Sequence, residues 1–164
     1  MNKNYFIELS TYNVWANNEF RNWLLQLSQE QLEQPLVSSF SSIEATALHI
    51  VGAESVWLER LNQVQNWVWL PSVFKGTTDE ILQLWEQSSE GLHQFVKDLP
   101  EEGFMAKVSF KNLKGDAIEM PYYKMLAHVF NHSTYHRGQL TTMLRQVGFT
   151  DVGSTDMINF YRML

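Results

Sequence analysis

Three of the five histidines in this chain, His128, His132 and His136, fall in the run from Leu126 to Gln139. Their spacing is four and four. Four helical residues advance about 400°, so His132 and His136 project from one helix face, one turn apart. That is the arrangement two imidazoles need to hold one metal ion. Two imidazoles make a weak site, so a third ligand is expected from another element. His49 is the best candidate, because it sits in an apolar stretch with the small residues Ala45 and Ala53 as its one-turn neighbours. His128, one turn before His132, is the alternative. His93 lies in a polar context and is expected to be exposed.

A metal site needs elements that aim its ligands inward. The pattern predicts four long helices, over Tyr5–Leu27, Ser42–Val64, Thr78–Leu99 and Tyr122–Val147. In the last of these, Met125, Val129, His132, His136, Leu140 and Met143 form one stripe, which puts both histidines on the core side. Ser41 with Glu44, and Thr77 with Glu80, have the spacing of capping boxes. Gly148 is placed to stop the last long helix. The segment Trp67–Pro71 reads as a loop with apolar anchors. Alternation between Phe104 and Lys111 suggests a strand, Lys114-Gly115-Asp116 a turn, and Ala117–Met120 its return, so a small hairpin is expected before the fourth helix. A short helix opens near Thr155 and Asp156. Four long helices with short connections read as an all-α four-helix bundle, a single domain over 1–164.

Bulk properties exclude several classes. The net charge is -6 and there is no Lys/Arg run, which argues against a nucleic-acid binder. The chain has no cysteine, so disulfides, Cys-ligated zinc and a protein thiol nucleophile are all excluded. The N-terminus carries no apolar signal core and no stretch approaches the ~20 apolar residues of a membrane helix. A cytoplasmic location is the expectation.

Four segments resemble the DinB/YfiT-type family: Thr11 to Asn17, Phe40 to Ile43 followed by Leu48-His49, His128 to Gln139, and Ser154 to Ile158. The block ending in His-Arg-Gly-Gln, with a histidine on the second long helix, is the most specific part. The resemblance implies a four-helix bundle, often a homodimer, with a three-histidine divalent metal site holding nickel or zinc. Carried over residue by residue, the ligands would be His49, His132 and His136, and His128 becomes an outer neighbour. The resemblance also implies relatives that are thiol-dependent transferases or isomerases using a low-molecular-weight thiol such as bacillithiol or mycothiol.

Three protein ligands would leave a position open for a small-molecule substrate, which favours catalysis over a structural role. In one reading a metal lowers the pKa of an incoming thiol, which then attacks a small electrophile. In the other, a metal-dependent hydrolase uses a metal-bound water as nucleophile. Hydrolysis usually wants a carboxylate base, and none accompanies these histidines. Glu54 is five residues from His49 and points roughly 140° away on the same helix. The third reading is a non-enzymatic, stress-related binding module with a structural metal. Trp15, Trp57 and Tyr135 are candidate pocket residues, each with a competing packing role. Arg137 either binds an anionic substrate group or is an ordinary surface or interface arginine.

Overall fold

In a computed structural model, residues 2–112 and 114–164 are described. The helices are α1 (Lys3–Leu24), α2 (Gln29–Glu33), α3 (Ile43–Leu61), α4 (Leu70–Val73), α5 (Thr78–Asp98), α6 (Tyr122–Gln146) and α7 (Met157–Tyr161). A 3-10 turn over Glu101–Met105 precedes an antiparallel hairpin of β1 (Lys107–Lys111) and β2 (Ala117–Pro121), in which Val108 faces Met120. The expected four-helix bundle and hairpin are therefore present.

Local chemistry fixes the boundaries. Thr77 and Glu80 form the capping box expected at the start of α5. At α3 the expectation needs correction. Ser42, not Ser41, accepts from the Ala45 amide, and Glu44 makes no capping box. The Glu44 carboxylate instead accepts from the Thr78 hydroxyl at the start of α5, a tertiary partner that outcompetes the local one. Gly148 (φ +84°) ends α6. The Phe149 amide donates to Leu144 and the Gly148 amide to Arg145, so two orphan carbonyls are satisfied in the Schellman pattern.

The four long helices pack as a ring in which α1 and α3 each touch both α5 and α6. Chain order and spatial order therefore differ, with α1 diagonal to α3. Residue pairings give the directions. Glu54 meets Ser88 and Ser89 while Leu58 lies against the Gly91 position, so α3 and α5 run parallel. Parallel neighbours cannot be joined by a tight turn, which corrects the expectation of short connections. The segment 62–77 returns along the bundle, carrying α4, and crosses α3 where the Gly52 position lies against Pro71. A Cβ on Gly52 would lie 2.5 Å from the Pro71 Cδ, so only glycine lets the strap dock this closely.

Among the described residues the core has two large apolar halves, with a small third cluster of Tyr12, Ala16 and Phe160. One half gathers Phe20, Ile50, Trp85 and Leu140, and the other Phe6, Leu92, Phe104, Met125 and Phe130. Between them, at mid-height, lie Asn13, Asn17, Glu54, Ser88, Ser89, Ser133 and Arg137, all buried. The three histidines of the candidate site sit on α3 and α6 beside this polar layer.

Candidate metal centre

His49 projects from α3 toward the antiparallel α6, where His132 and His136 occupy successive turns. One nitrogen from each of the three lies within 4.8 Å of the others. The Nε2 atoms of His49 and His132 are 3.1 Å apart. That is close to the ~3.3 Å edge of a tetrahedron drawn with metal–nitrogen bonds of about 2.0–2.1 Å. The rings converge, with centroids 4.4 Å apart for His132 and His136 and 4.5 Å for His49 and His136. Three imidazoles that face one another with so little hydrogen bonding between them fit a shared cation better than a packed core.

The surroundings favour the neutral, metal-binding form of each ring. Burial, then the neighbouring His136, pushes His49 down to about 4. Burial, then His136, His49 and His128, pushes His132 down to about 3. Burial lowers His136 as well, opposed by its bond to Gln139. In that bond the His136 Nδ1–H donates to Gln139 Oε1 at 2.8 Å, and Gln139 Nε2 donates to Ser39 Oγ at 2.7 Å. The His136 tautomer is thereby set, with the Nε2 lone pair turned toward the other two rings, as an outer hydrogen bond commonly does for a metal-bound histidine. Sequence reasoning took Gln139 only as part of a family block and missed this role. The His-x-x-Gln spacing, one helical turn, was the available signal.

Phe40 stacks on the His49 ring at 4.2 Å, and Trp69 of the returning strap meets it edge-on at 5.7 Å. These rings shield one side of the cluster from water. The remaining candidates disperse. His128 is exposed and stays outside the cluster, its ring 5.9 Å from that of His132 and 4.9 Å from Trp57. His93 is not exposed as expected. It is half-buried, and its Nδ1 is paired with the Ser10 hydroxyl at 2.9 Å, a long-range partner its polar neighbours did not announce. Trp15 packs with Tyr12 and Phe160, away from the site. Tyr135 is 61% exposed and touches His136 edge-on.

Arg137 contradicts both readings offered for it. It is only 2% exposed and sits in the polar layer. Its Nη1 donates to Asn13 Oδ1 at 2.7 Å and Asn17 Oδ1 at 2.6 Å. The amide nitrogens of the same two asparagines donate to Glu54 Oε1, each at 2.9 Å. Ser133 also donates to Oε1, and Ser88 and Ser89 donate to Oε2. Glu54 thus faces away from His49, as its phase predicted, but its five donors were not foreseen. Ser133 and Arg137 each adjoin a site histidine in sequence, so the layer fixes the rotation of α6 that aims His132 and His136 at α3.

The model of the DinB family matches residues 1–162. The chain belongs to the DinB family. The Bacillus subtilis protein named Protein DinB is 31% identical over 157 residues, covering 89% of this chain and 90% of that protein. A DinB-like protein from Bacillus cereus has a similar fold, with a TM-score of 0.70 at 22% identity over 91% of this chain and 94% of that one. YfiT from Bacillus subtilis, described as a probable metal-dependent hydrolase with an unusual four-helix bundle topology, gives a TM-score of 0.67 at 12% identity, over 92% and 91% of the two chains. The ring order described above, with sequential helices on a diagonal, accords with an unusual topology.

Proposed function

We propose that this DinB-family chain binds one divalent metal ion through His49, His132 and His136 and is an enzyme acting on small electrophiles. The observation that carries the reading is the convergence of three imidazoles, held neutral, on one point beside two covering aromatic rings. Nitrogen ligands suit nickel or zinc. The ion would supply a Lewis-acid position where a thiol or other nucleophile is acidified.

Thiol-dependent transfer is the reading we favour. Among the described residues no carboxylate joins the cluster, and Glu54 is committed to the polar layer. The chain itself has no cysteine, so the thiol is a small molecule brought in as co-substrate. Within this reading the chain's own residues position the ligands and exclude water: Gln139 holds the His136 proton at Nδ1, and Phe40 and Trp69 cover His49. The second reading is hydrolysis, favoured by the fold likeness to YfiT. A stress-related binding module with a structural metal is the outcome if the site proves closed to substrates. The protein is read as one domain, a homodimer and cytoplasmic. Among the described residues no helix is long and apolar enough to cross a membrane.

The test starts with elemental analysis of untagged protein. About one equivalent of nickel or zinc in the wild type, lost in His136→Ala, supports the site. No uptake even with excess divalent ions sinks it. With metal loaded, disappearance of an electrophile only when a low-molecular-weight thiol is present marks transfer, whereas ester cleavage without thiol marks hydrolysis.

A further inference from the structure

Arg60 is a second deeply buried cation, and unlike Arg137 it has no polar network. It is 6% exposed, near the end of α3. Its guanidinium lies over three rings, 4.8 Å from the Trp57 centroid, 4.6 Å from Trp67 and 5.2 Å from Phe110. Nε and Nη2 are enclosed, and among the described residues neither has a hydrogen-bond partner. No carboxylate among the described residues reaches it within ion-pair distance. A guanidinium stays charged at physiological pH, so a desolvated positive charge stands uncompensated except by aromatic faces.

Two clefts meet at this side chain. The larger, of about 590 Å³, is walled by Trp57, Phe110, Ile118 and Met120, with His128 along one side. Lys114, Lys124 and Asp116 also border it, leaving the wall net positive with Arg60. The smaller, of about 280 Å³, adds Trp67 and Lys111. Arg60 follows His49 by eleven residues, which is three helical turns plus roughly 20° and about 16 Å of rise on the same helix face. His128 lies between the larger cleft and His132. The cleft therefore leads from the arginine toward the histidines.

We propose that Arg60 anchors the carboxylate of an apolar organic acid that lies in this cleft between Trp57, Phe110 and Met120. A carboxylate suits the guanidinium edge that borders the cleft, where it would accept a charge-assisted hydrogen bond and offset the uncompensated charge. The apolar wall suits a hydrocarbon or aromatic body over a sugar or a nucleotide. The anchor stands by itself. That the far end of the acid is directed past His128 to the three histidines rests on the metal-dependent reading.

The probe is 4-phenylbutyrate, compared with its uncharged amide, titrated into chelator-treated and metal-loaded wild-type protein by calorimetry and tryptophan fluorescence. The acid is expected to bind about tenfold or more tightly than the amide in both forms. Arg60→Met, which keeps the chain length and apolar stem, is expected to weaken the acid by a similar factor while leaving amide binding unchanged. Arg60→Lys is expected to restore part of the preference. Equal binding of acid and amide, binding of neither, or an acid preference that survives in folded Arg60→Met overturns the proposal. Should Arg60→Met fail to fold, the acid–amide ratio of the wild type decides alone. Loss of metal uptake leaves that ratio untouched, so failure of the metal reading and failure of the anchor are separable.

Discussion

At the scale of single residues, the site depends on which proton each imidazole carries. Gln139 holds the His136 proton at Nδ1. Gln139→Ala is expected to lower metal affinity by about 10–100-fold while leaving thermal stability nearly unchanged, as read by metal titration beside a melting curve. Unchanged affinity would remove Gln139 from the site. The depressed His49 and His132 values set a pH dependence. Below their ordinary 6.5, the unfolded chain takes up protons that the folded chain refuses, down to about 4 for His49 and about 3 for His132. Stability of the metal-free protein is thus full above pH 6.5 and falls as pH drops from there toward 3. Urea midpoints across that range test it, and a flat profile would contradict the buried, neutral cluster. The His132–His136 pairing was legible from spacing alone, since a helix turn brings i and i+4 together. The burial of Arg137 was not, because adjacency to a histidine says nothing about which partners wait on α1.

At the scale of elements, the decisive one is the returning strap over 62–77. Apolar periodicity located all four long helices to within a few residues, because a buried stripe must repeat with the helical period. Periodicity carries no sign for direction, so the parallel pairing of α3 with α5, and the strap it demands, were not legible. Gly52 was visible in the sequence as a glycine inside a helix, but only the Pro71 ring against it explains its presence. Gly52→Ala is expected to cost roughly 1–3 kcal/mol through overpacking, with helical content kept and metal affinity reduced as Trp69 lifts off His49. Chemical denaturation followed by metal titration checks this. Native stability in the variant would mean that the strap rides loosely on α3.

At the scale of the whole molecule, the polar layer joins all four long helices through one carboxylate. Asn13 and Asn17 each give a nitrogen to Glu54 and an oxygen to Arg137, so two buried charges of opposite sign are linked through neutral amides. Glu54→Ala leaves Arg137 and five donors without their counterpart, and a loss on the order of 3–5 kcal/mol is expected from equilibrium unfolding. A loss below about 1 kcal/mol would show the layer to be dispensable. The same geometry has a meaning in time. Arg137 reaches partners 120 and 124 positions earlier, and His132 meets His49 across 83. As the chain is synthesised, α1, α3 and α5 are complete while two of the three imidazoles have yet to be made. Neither the polar layer nor the histidine cluster can close until α6 leaves the ribosome, so any ion at this site is acquired only after α1, α3 and α5 are already made.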